Sequence, residues 1–291
     1  MEKRLIHPEG PKFSRIIAGA WRWHTVSSDI VERLVTTALE SGITTFDHAD
    51  IYGDHSNEEL FGRVIKASPS LRDRMELISK CGIKFSSAKR PDTWVKHYDT
   101  SARHILWSAE NSLRMLGTDR LDLLLIHRPD PMMNPAEVAE AFSKLKESGK
   151  VLHFGVSNFS PSQFEMLQSY LPMPIVTNQI ELSVTHNDPL FDGTVDLLMK
   201  YRTSPMAWSP LGGGSLMDPR FDPIFEKTQK YHCSSSQLSL AWLLRHPSVI
   251  FPVVGTTKPE RLGEIAAAGE VHLDLQDWFD MLRIAMGREM P

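Results

Sequence analysis

Four side chains that can hold or move a proton lie where short apolar runs end. Tyr52 follows the strand-like run Ile43–Ala49, which contains Asp47, and Lys80 and His127 directly follow two later runs, Met75–Ser79 and Leu121–Ile126. If these runs are parallel strands of a barrel, all four side chains converge on its carboxyl face, where barrels of alternating strands and helices keep their chemistry. A carboxylate, a phenol, an ammonium and an imidazole at one point predict a proton-donating site without a strong nucleophile.

The four residue types predict reduction of a carbonyl group. A free tyrosine has a pKa of about 10, so it needs a neighbouring positive charge to become a rapid proton donor or acceptor. We expect Lys80 to lower the pKa of Tyr52, Asp47 to hold the lysine charged and oriented, and His127 to hydrogen-bond the oxygen that gains charge. This set supplies a proton and an oxyanion pocket but no hydride, so a nicotinamide cofactor has to supply the hydride.

The elements that position these residues repeat along the chain. Strand-like runs alternate with amphipathic segments that have marked helix boundaries, such as Asp29 with Glu32, Asn134-Pro135 and Ser160-Pro161. Eight such units predict an α/β fold, a (β/α)8 TIM barrel. We further expect an N-terminal hairpin over Lys3–Arg15 that plugs the barrel, and additional helices over Asp222–His232 and Asp274–Gly287. The strand-like runs begin near Ile16, Thr44, Met75, Leu121, His153, Ile175, Met206 and Val249.

Composition excludes several other classes. The chain has 291 residues, 41% apolar content and a formal charge of −4, which favours one barrel-sized domain over residues 1–291. No basic run suggests nucleic-acid binding, and no signal peptide or membrane-spanning stretch is visible. We therefore expect a cytoplasmic protein, monomeric by default, whose partner is a small-molecule carbonyl substrate. Cys81 and Cys233 match no zinc or redox spacing, and we interpret them as buried thiols.

The motifs around these residues resemble those of the aldo-keto reductase superfamily. They are Asp47 with Tyr52-Gly53, Lys80 before Cys81-Gly82, LDLLLIH ending at His127, and GVSNF over 155–159. The FDHADIYG segment is especially similar to that of the bacterial YdhF-like oxidoreductases, with histidine where many relatives have threonine. The resemblance covers nearly the whole chain. It implies a (β/α)8 barrel that binds NADPH extended across its carboxyl face and reduces aldehydes or ketones, with Tyr52 as general acid.

The resemblance also implies where the cofactor binds. Ser157, Asn158 and Gln179 would satisfy the nicotinamide carboxamide, and Trp208, where most relatives place tyrosine, would stack on the ring. The glycine-containing segment 209–215 would pass over the pyrophosphate. No GxGxxG motif opens a helix after a strand, so a Rossmann domain is not expected. The predicted cofactor-binding residues are Gly19, Ala20, Trp21, Asp47, Ser157, Asn158, Gln179, Trp208, Ser209, Leu211, Gly212, Gly213, Gly255, Thr256, Lys258, Arg261 and Glu264.

The segment after the last strand indicates which nicotinamide cofactor is used. Lys258 and Arg261 provide two cations beside the hydroxyl of Thr256, and a 2′-phosphate needs such charge whereas a ribose hydroxyl does not. NADP(H) is therefore favoured over NAD(H). Glu264 is expected near the adenine, while Ile265 replaces an asparagine that relatives often use there.

The same residues are compatible with two other functions. Asp47, His48, Asp50 and His127 could be metal ligands of a hydrolase, but sequential strand residues point to opposite faces, so we predict no metal site. A barrel that binds NADPH could also serve as a redox-sensing or regulatory subunit, and turnover is the observation that would discriminate. Substrate contacts are expected from Trp21, Tyr52 and His127, whereas Trp23 is expected to pack under a loop.

Overall fold

The structure, a computed structural model, describes residues 1–289. Its strands begin within two residues of the positions expected from the sequence pattern, and two short pairs lie outside the barrel. The strands are β1 (Lys3–Leu5), β2 (Lys12–Ser14), β3 (Ile17–Gly19), β4 (Thr45–Asp47), β5 (Glu76–Cys81), β6 (Ile83–Lys84), β7 (His97–Tyr98), β8 (Leu123–Ile126), β9 (Phe154–Ser157), β10 (Ile175–Glu181), β11 (Met206–Trp208) and β12 (Phe251–Val254).

Eight of these strands close into a barrel. Their order around it is β3, β4, β5, β8, β9, β10, β11 and β12, and every neighbouring pair is parallel. Because parallel neighbours need crossover connections, helices cover the outside of the sheet. The predicted (β/α)8 barrel is confirmed, and the carboxyl ends of all eight strands meet on one face.

The helices bury one apolar face against the sheet. In α1, Val31, Leu34, Val35 and Ala38 are fully buried, at the three- and four-residue spacing of a single face. The helices are α1 (Ser28–Glu40), α2 (Tyr52–His55), α3 (Asn57–Ala67), α4 (Ala102–Leu116), α5 (Pro135–Glu147), α6 (Pro161–Gln168), α7 (Thr194–Lys200), α8 (Asp222–Tyr231), α9 (Ser235–Leu244), α10 (Pro259–Ala266) and α11 (Leu275–Met286). The additional helices expected from the sequence correspond to α8 and α11.

Helix starts follow the predicted signals in two cases and depart in a third. Asn134 accepts a hydrogen bond from the backbone of Ala136, and Ser160 forms a capping box with Gln163. The predicted cap at Asp29 is wrong, because α1 begins at Ser28 and Ser27 occupies the N-cap position in an extended conformation. Asp29 instead lies in the first turn, where its charge is favoured by the helix dipole.

The hairpin of β1 and β2 closes the amino-terminal end of the barrel. The two strands are antiparallel, and Ile6 and Phe13 are fully buried against interior side chains from the starts of barrel strands, among them Met206 and Phe251. The backbone carbonyl of Ile6 accepts a hydrogen bond from the Ser204 amide at 2.8 Å. The interior is therefore filled at this end. No helix within residues 1–289 has the length and apolarity to cross a membrane.

Candidate active site

The Lys80 ammonium is the centre of a buried hydrogen-bond network at the ends of β4 and β5. Its Nζ donates to Asp47 Oδ2 at 2.6 Å, to the backbone carbonyl of His48 at 2.8 Å and to the Tyr52 hydroxyl at 3.1 Å. Lys80 is fully buried and Asp47 is 2% exposed. An ammonium has three donors, and all three are used. The charge of Lys80 is thus balanced by Asp47, and its third donor is directed to the phenol oxygen.

The phenol of Tyr52 departs from the expectation in one respect. Burial raises its pKa above the ordinary value, and the adjacent Lys80 charge opposes that rise without reversing it. Lys80 thus acts on the pKa of Tyr52 in the expected direction, but the expectation left out the removal of the ring from water, and burial outweighs the charge. Lys80 keeps its own proton firmly: burial lowers its pKa, Asp47 and Tyr52 raise it, and the net direction is upward.

His127 faces the phenol from the end of β8. Its ring lies edge-to-face with that of Tyr52, with centroids 5.8 Å apart. Burial, followed by the charges of Lys80 and Arg128, lowers the pKa of His127 well below its ordinary value, so the imidazole is neutral near pH 7. Its Nδ1 is buried without a hydrogen-bond partner among the described residues. A neutral imidazole can donate one hydrogen bond into the cleft without changing its charge.

A second network joins the ends of β9, β10 and β11. The Trp208 indole donates to Asn158 Oδ1 at 2.8 Å, Asn158 Nδ2 donates to Ser157 Oγ at 2.7 Å, and Ser157 Oγ donates to the Gln179 carbonyl at 2.8 Å. Gln179 Nε2 donates in turn to Asp47 Oδ1 at 3.0 Å. The Trp208 indole therefore supplies a hydrogen-bond donor to this network. The two networks meet at the Asp47 carboxylate.

These side chains fit a nicotinamide carboxamide. Asn158 Nδ2 has a second N–H beyond the one given to Ser157, and Gln179 Oε1 accepts no hydrogen bond from the described residues. A carboxamide needs one donor and one acceptor of this kind. Trp208 lines the same cleft and offers an aromatic face for stacking. The chemistry of the donor set therefore matches the group that the sequence predicted.

A single cleft of about 1380 Å³ opens over the carboxyl face, and most predicted site residues line it. Lys80 does not line the cleft but donates a hydrogen bond to Tyr52, which does. Four further residues that the sequence predicted for the site do not line the cleft: Ala20, Gly212, Thr256 and Lys258. The backbone amide of Ala20 donates to the carbonyl of Asp47, and the Thr256 hydroxyl accepts from the Lys258 amide. The predicted residues that line the cleft are Gly19, Trp21, Asp47, Tyr52, His127, Ser157, Asn158, Gln179, Trp208, Ser209, Leu211, Gly213, Gly255, Arg261 and Glu264.

Two aromatic residues near the first strand end have different environments. Trp21 is 56% exposed at the rim of the cleft, whereas Trp23 is buried and donates from Nε1 to the Thr256 carbonyl at 2.9 Å. The expectation that Trp23 packs under a loop is confirmed.

Gly53 lets the chain pass close to His24: it has a φ of +60°, and a Cβ there would lie 2.6 Å from the His24 Cβ.

Several lining residues were not predicted from the sequence. Arg128 directly follows His127, so its place at a strand end was a signal that could have found it. The three lining serines of α9 follow Ser234, which forms a capping box with Gln237, but no feature of the sequence indicated that they would line the cleft. The unpredicted lining residues include Arg22, His24, Ile51, Ile83, Lys96, Arg128, Phe225, Ser235, Ser236 and Ser239.

The metal-ligand alternative does not match the geometry. Asp47 faces Lys80, whereas the ring of His48 points the other way and packs edge-on against Phe61 with centroids 4.5 Å apart. Burial lowers the pKa of His48 to about 3. Asp50 lies in a third environment, where its carboxylate accepts a hydrogen bond from Ser108. Within residues 1–289, no group of three or more His, Cys, Asp or Glu side chains is arranged to hold a metal ion.

A closed parallel barrel with this buried Tyr–Lys–Asp set beside a large cleft defines the class of carbonyl-reducing barrel oxidoreductases. The chain matches the family model described as "Aldo/keto reductase family" over residues 15–285, and it belongs to that family. It is 45% identical to "Oxidoreductase YdhF" of Escherichia coli (strain K12), over 100% of each chain. It is 44% identical to a "6-dehydroglucose reductase" of Agrobacterium fabrum, over 99% of each chain.

A solved structure supports the same assignment of fold. The crystal structure of the thermostable aldo-keto reductase Tm1743, determined in complex with the inhibitor epalrestat, superposes with a TM-score of 0.86 at 26% sequence identity. The match covers 98% of this chain and 100% of that one. The protein is therefore an aldo-keto reductase in fold and an oxidoreductase in class.

Proposed function

We propose that the protein is an NADPH-dependent reductase that converts an aldehyde or a ketone to an alcohol, with Tyr52 as the general acid. One observation carries this proposal: the Tyr52 hydroxyl accepts a hydrogen bond from Lys80 at 3.1 Å. Because that bond occupies a lone pair of the phenol oxygen, the phenol's own hydrogen is directed elsewhere. Tyr52 lines the cleft, so its proton is available to a substrate there.

The remaining residues assist the transfer of that proton. The nicotinamide supplies the hydride. As the carbonyl oxygen gains negative charge, Tyr52 donates its proton and neutral His127 donates a hydrogen bond to the same oxygen. Lys80 stabilises the phenolate that Tyr52 becomes, and Asp47 keeps the ammonium in place through the 2.6 Å contact. Burial raises the pKa of Tyr52, so the phenol carries its proton near pH 7 before a substrate binds.

NADP(H) is the proposed cofactor, held at its nicotinamide end by Ser157, Asn158 and Gln179. At the other end of the cleft, Arg261 and Glu264 line the wall after β12. Arg261 supplies the charge that a 2′-phosphate requires, and Lys258, the exposed N-cap residue of α10, lies three positions before it. The 6-dehydroglucose reductase of Agrobacterium fabrum, 44% identical, favours an aldehyde as the substrate. We further propose that the enzyme is a cytoplasmic monomer with a single domain and that it has no nucleic-acid or membrane partner.

The test is turnover of a panel of aldehydes, ketones and dicarbonyls followed through NADPH absorbance. Tyr52→Phe should lose roughly two or more orders of magnitude in turnover, the usual worth of general acid catalysis, while NADPH affinity changes little. Tyr170→Phe, at a position that is 53% exposed, is the matched control. Near-wild-type reduction by Tyr52→Phe would remove this residue from the mechanism. A wild-type protein that binds NADPH but reduces no member of the panel would instead support the redox-sensing alternative.

A further inference from the structure

The cleft contains a half-buried guanidinium that has no carboxylate partner. Arg128 follows His127 at the end of β8, and its guanidinium carbon lies 5.5 Å from the centroid of the Trp208 ring. Within residues 1–289, no carboxylate lies within 4.0 Å of its nitrogens, and no side-chain hydrogen bond is formed by them. A guanidinium presents five N–H donors in a fixed fork that fits carboxylate and phosphate groups. Its position therefore suits an anionic group of a ligand.

A second cation lies on this side of the cleft. Lys96, which is exposed, lines the rim near His127 and forms no ion pair among the described residues. Of the carboxylates nearby, Asp47 is already paired with Lys80 at 2.6 Å, and Asp54 is exposed at the rim. The chain as a whole has a formal charge of −4, so the pair of cations Arg128 and Lys96 is a feature of this side of the cleft and not of the whole surface. Like charges gathered around one opening attract ligands of opposite sign.

The position of Arg128 separates it from the phosphate-binding end proposed for the cofactor. Arg128 follows β8 and Arg261 follows β12, and these strands are four positions apart in a closed barrel of eight, on opposite sides. Arg128 instead lies next to the two residues that face the reacting carbonyl. Its charge is among the causes that lower the pKa of His127 and oppose the rise at Tyr52. The anionic group that it would bind is therefore on the substrate.

We propose that the enzyme prefers carbonyl substrates that carry a second, anionic group, a carboxylate within a few atoms of the carbonyl, and that Arg128 binds this group. The inference rests on the proposed function and names the substrate class of the same site. The reaction itself is unchanged: the carbonyl carbon receives hydride from NADPH, the oxygen receives the proton of Tyr52, and the carboxylate keeps its charge. Lys96 adds long-range attraction at the rim.

The experiment compares matched acid and neutral aldehydes. Wild-type protein is assayed with 4-carboxybenzaldehyde and its methyl ester, and with glyoxylate and glycolaldehyde, through NADPH absorbance. Arg128→Gln should reduce kcat/KM for the acids by about 10- to 100-fold, mainly through KM, which is the scale of lost charge-assisted hydrogen bonds. Because the Arg128 charge also acts on His127 and Tyr52, the neutral aldehydes should lose some activity, but at least about fivefold less than the acids, and NADPH affinity should be unaltered. Arg128→Lys should recover part of the loss, and Arg114→Gln, at an exposed position on α4, is the control for a charge change away from the cleft.

The outcomes distinguish the two proposals. If the wild type reduces the neutral aldehydes as efficiently as the acids, or if Arg128→Gln impairs both alike, the inference is wrong and the proposed reductase function stands. If no carbonyl compound is reduced by the wild type, the proposed function fails and the inference fails with it. A loss of NADPH affinity in Arg128→Gln would assign the residue to the cofactor and overturn its role toward the substrate.

Discussion

Replacing Lys80 by methionine should damage stability and catalysis for two separable reasons. The substitution keeps a long apolar stem but removes the three hydrogen bonds to Asp47, His48 and Tyr52. Asp47, 2% exposed, then keeps its bond to Gln179 but loses its charge partner. Breaking one side of a buried ion pair typically costs 3–5 kcal/mol, because the other charge is left uncompensated. For a chain of this size that corresponds to a fall in Tm of the order of 10 °C.

A second substitution separates the two effects. In Lys80→Met combined with Asp47→Asn, no uncompensated carboxylate remains, so we expect the double variant to be more stable than Lys80→Met alone. Turnover should stay at least about 100-fold below wild type in both variants, because the phenolate of Tyr52 lacks its stabilising charge in either background. Stability is thus recovered while activity is not.

The measurements are urea unfolding at neutral pH and turnover of an aldehyde that the wild type reduces. The comparison of the single and double variants is decisive. If the double variant unfolded at the same or lower urea concentration than Lys80→Met, the buried carboxylate would not be the source of the instability. If activity returned with stability, the role of Lys80 would be to maintain the fold and not to stabilise the phenolate.

Three further predictions concern separate parts of the molecule. Removing the charges of Lys258 and Arg261 should weaken NADPH binding by tenfold or more and change NADH binding little, and Arg261 should contribute more because it lines the cleft. Equal losses of affinity for NADPH and NADH in a fluorescence titration would reject this assignment. His127→Gln should keep measurable turnover, raise KM and leave the basic limb of the pH profile of kcat/KM in place, because the lowered pKa of His127 keeps the imidazole neutral at that pH. If His127→Gln abolished the basic limb and Tyr52→Phe retained it, His127 would be the proton donor and Tyr52 the orienting group. Burial raises the pKa of Glu58 to about 7, so the folded state binds more protons than the unfolded state from about pH 4.5 to 7 and loses stability as pH rises through that window. Glu58→Gln should therefore gain up to about 3 kcal/mol relative to wild type between pH 5 and pH 8 in urea unfolding, and parallel pH dependence of the two proteins would contradict this.

The sequence predicted the barrel well because its signals are local and repeated. Each strand is a short apolar run followed by polar residues, and those polar residues mark the carboxyl ends where Asp47, Lys80 and His127 lie. Closure of the barrel then brings together residues that are far apart in the chain, without any pairwise signal being needed. The cap of α1 was misplaced because Ser27 and Asp29 are both good capping residues, and only the backbone conformation selects between them.

The features that the sequence did not predict depend on tertiary surroundings. The rise in the pKa of Tyr52 follows from burial, which a list of neighbouring charges does not include. The sequence showed Trp208 only as a tryptophan where a tyrosine was expected. In the structure its indole donates a hydrogen bond to Asn158 and so joins two strand ends. Arg128 was not predicted as a site residue because an arginine after a histidine carries no signal of its own. Its lack of an ion-pair partner among the described residues is visible only in the structure.

The contact between Lys80 and the backbone of His48 affects how the site can change in evolution. Lys80 is held by the carbonyl oxygen of His48 and not by its imidazole, which lies on the other side of the strand against Phe61. Every amino acid supplies that carbonyl. The side chain at position 48 can therefore change without loss of this hydrogen bond, provided that it fills the space beside Phe61. Because the acceptor is a main-chain carbonyl, substitutions at position 48 leave the hydrogen bond of Lys80 to that position in place.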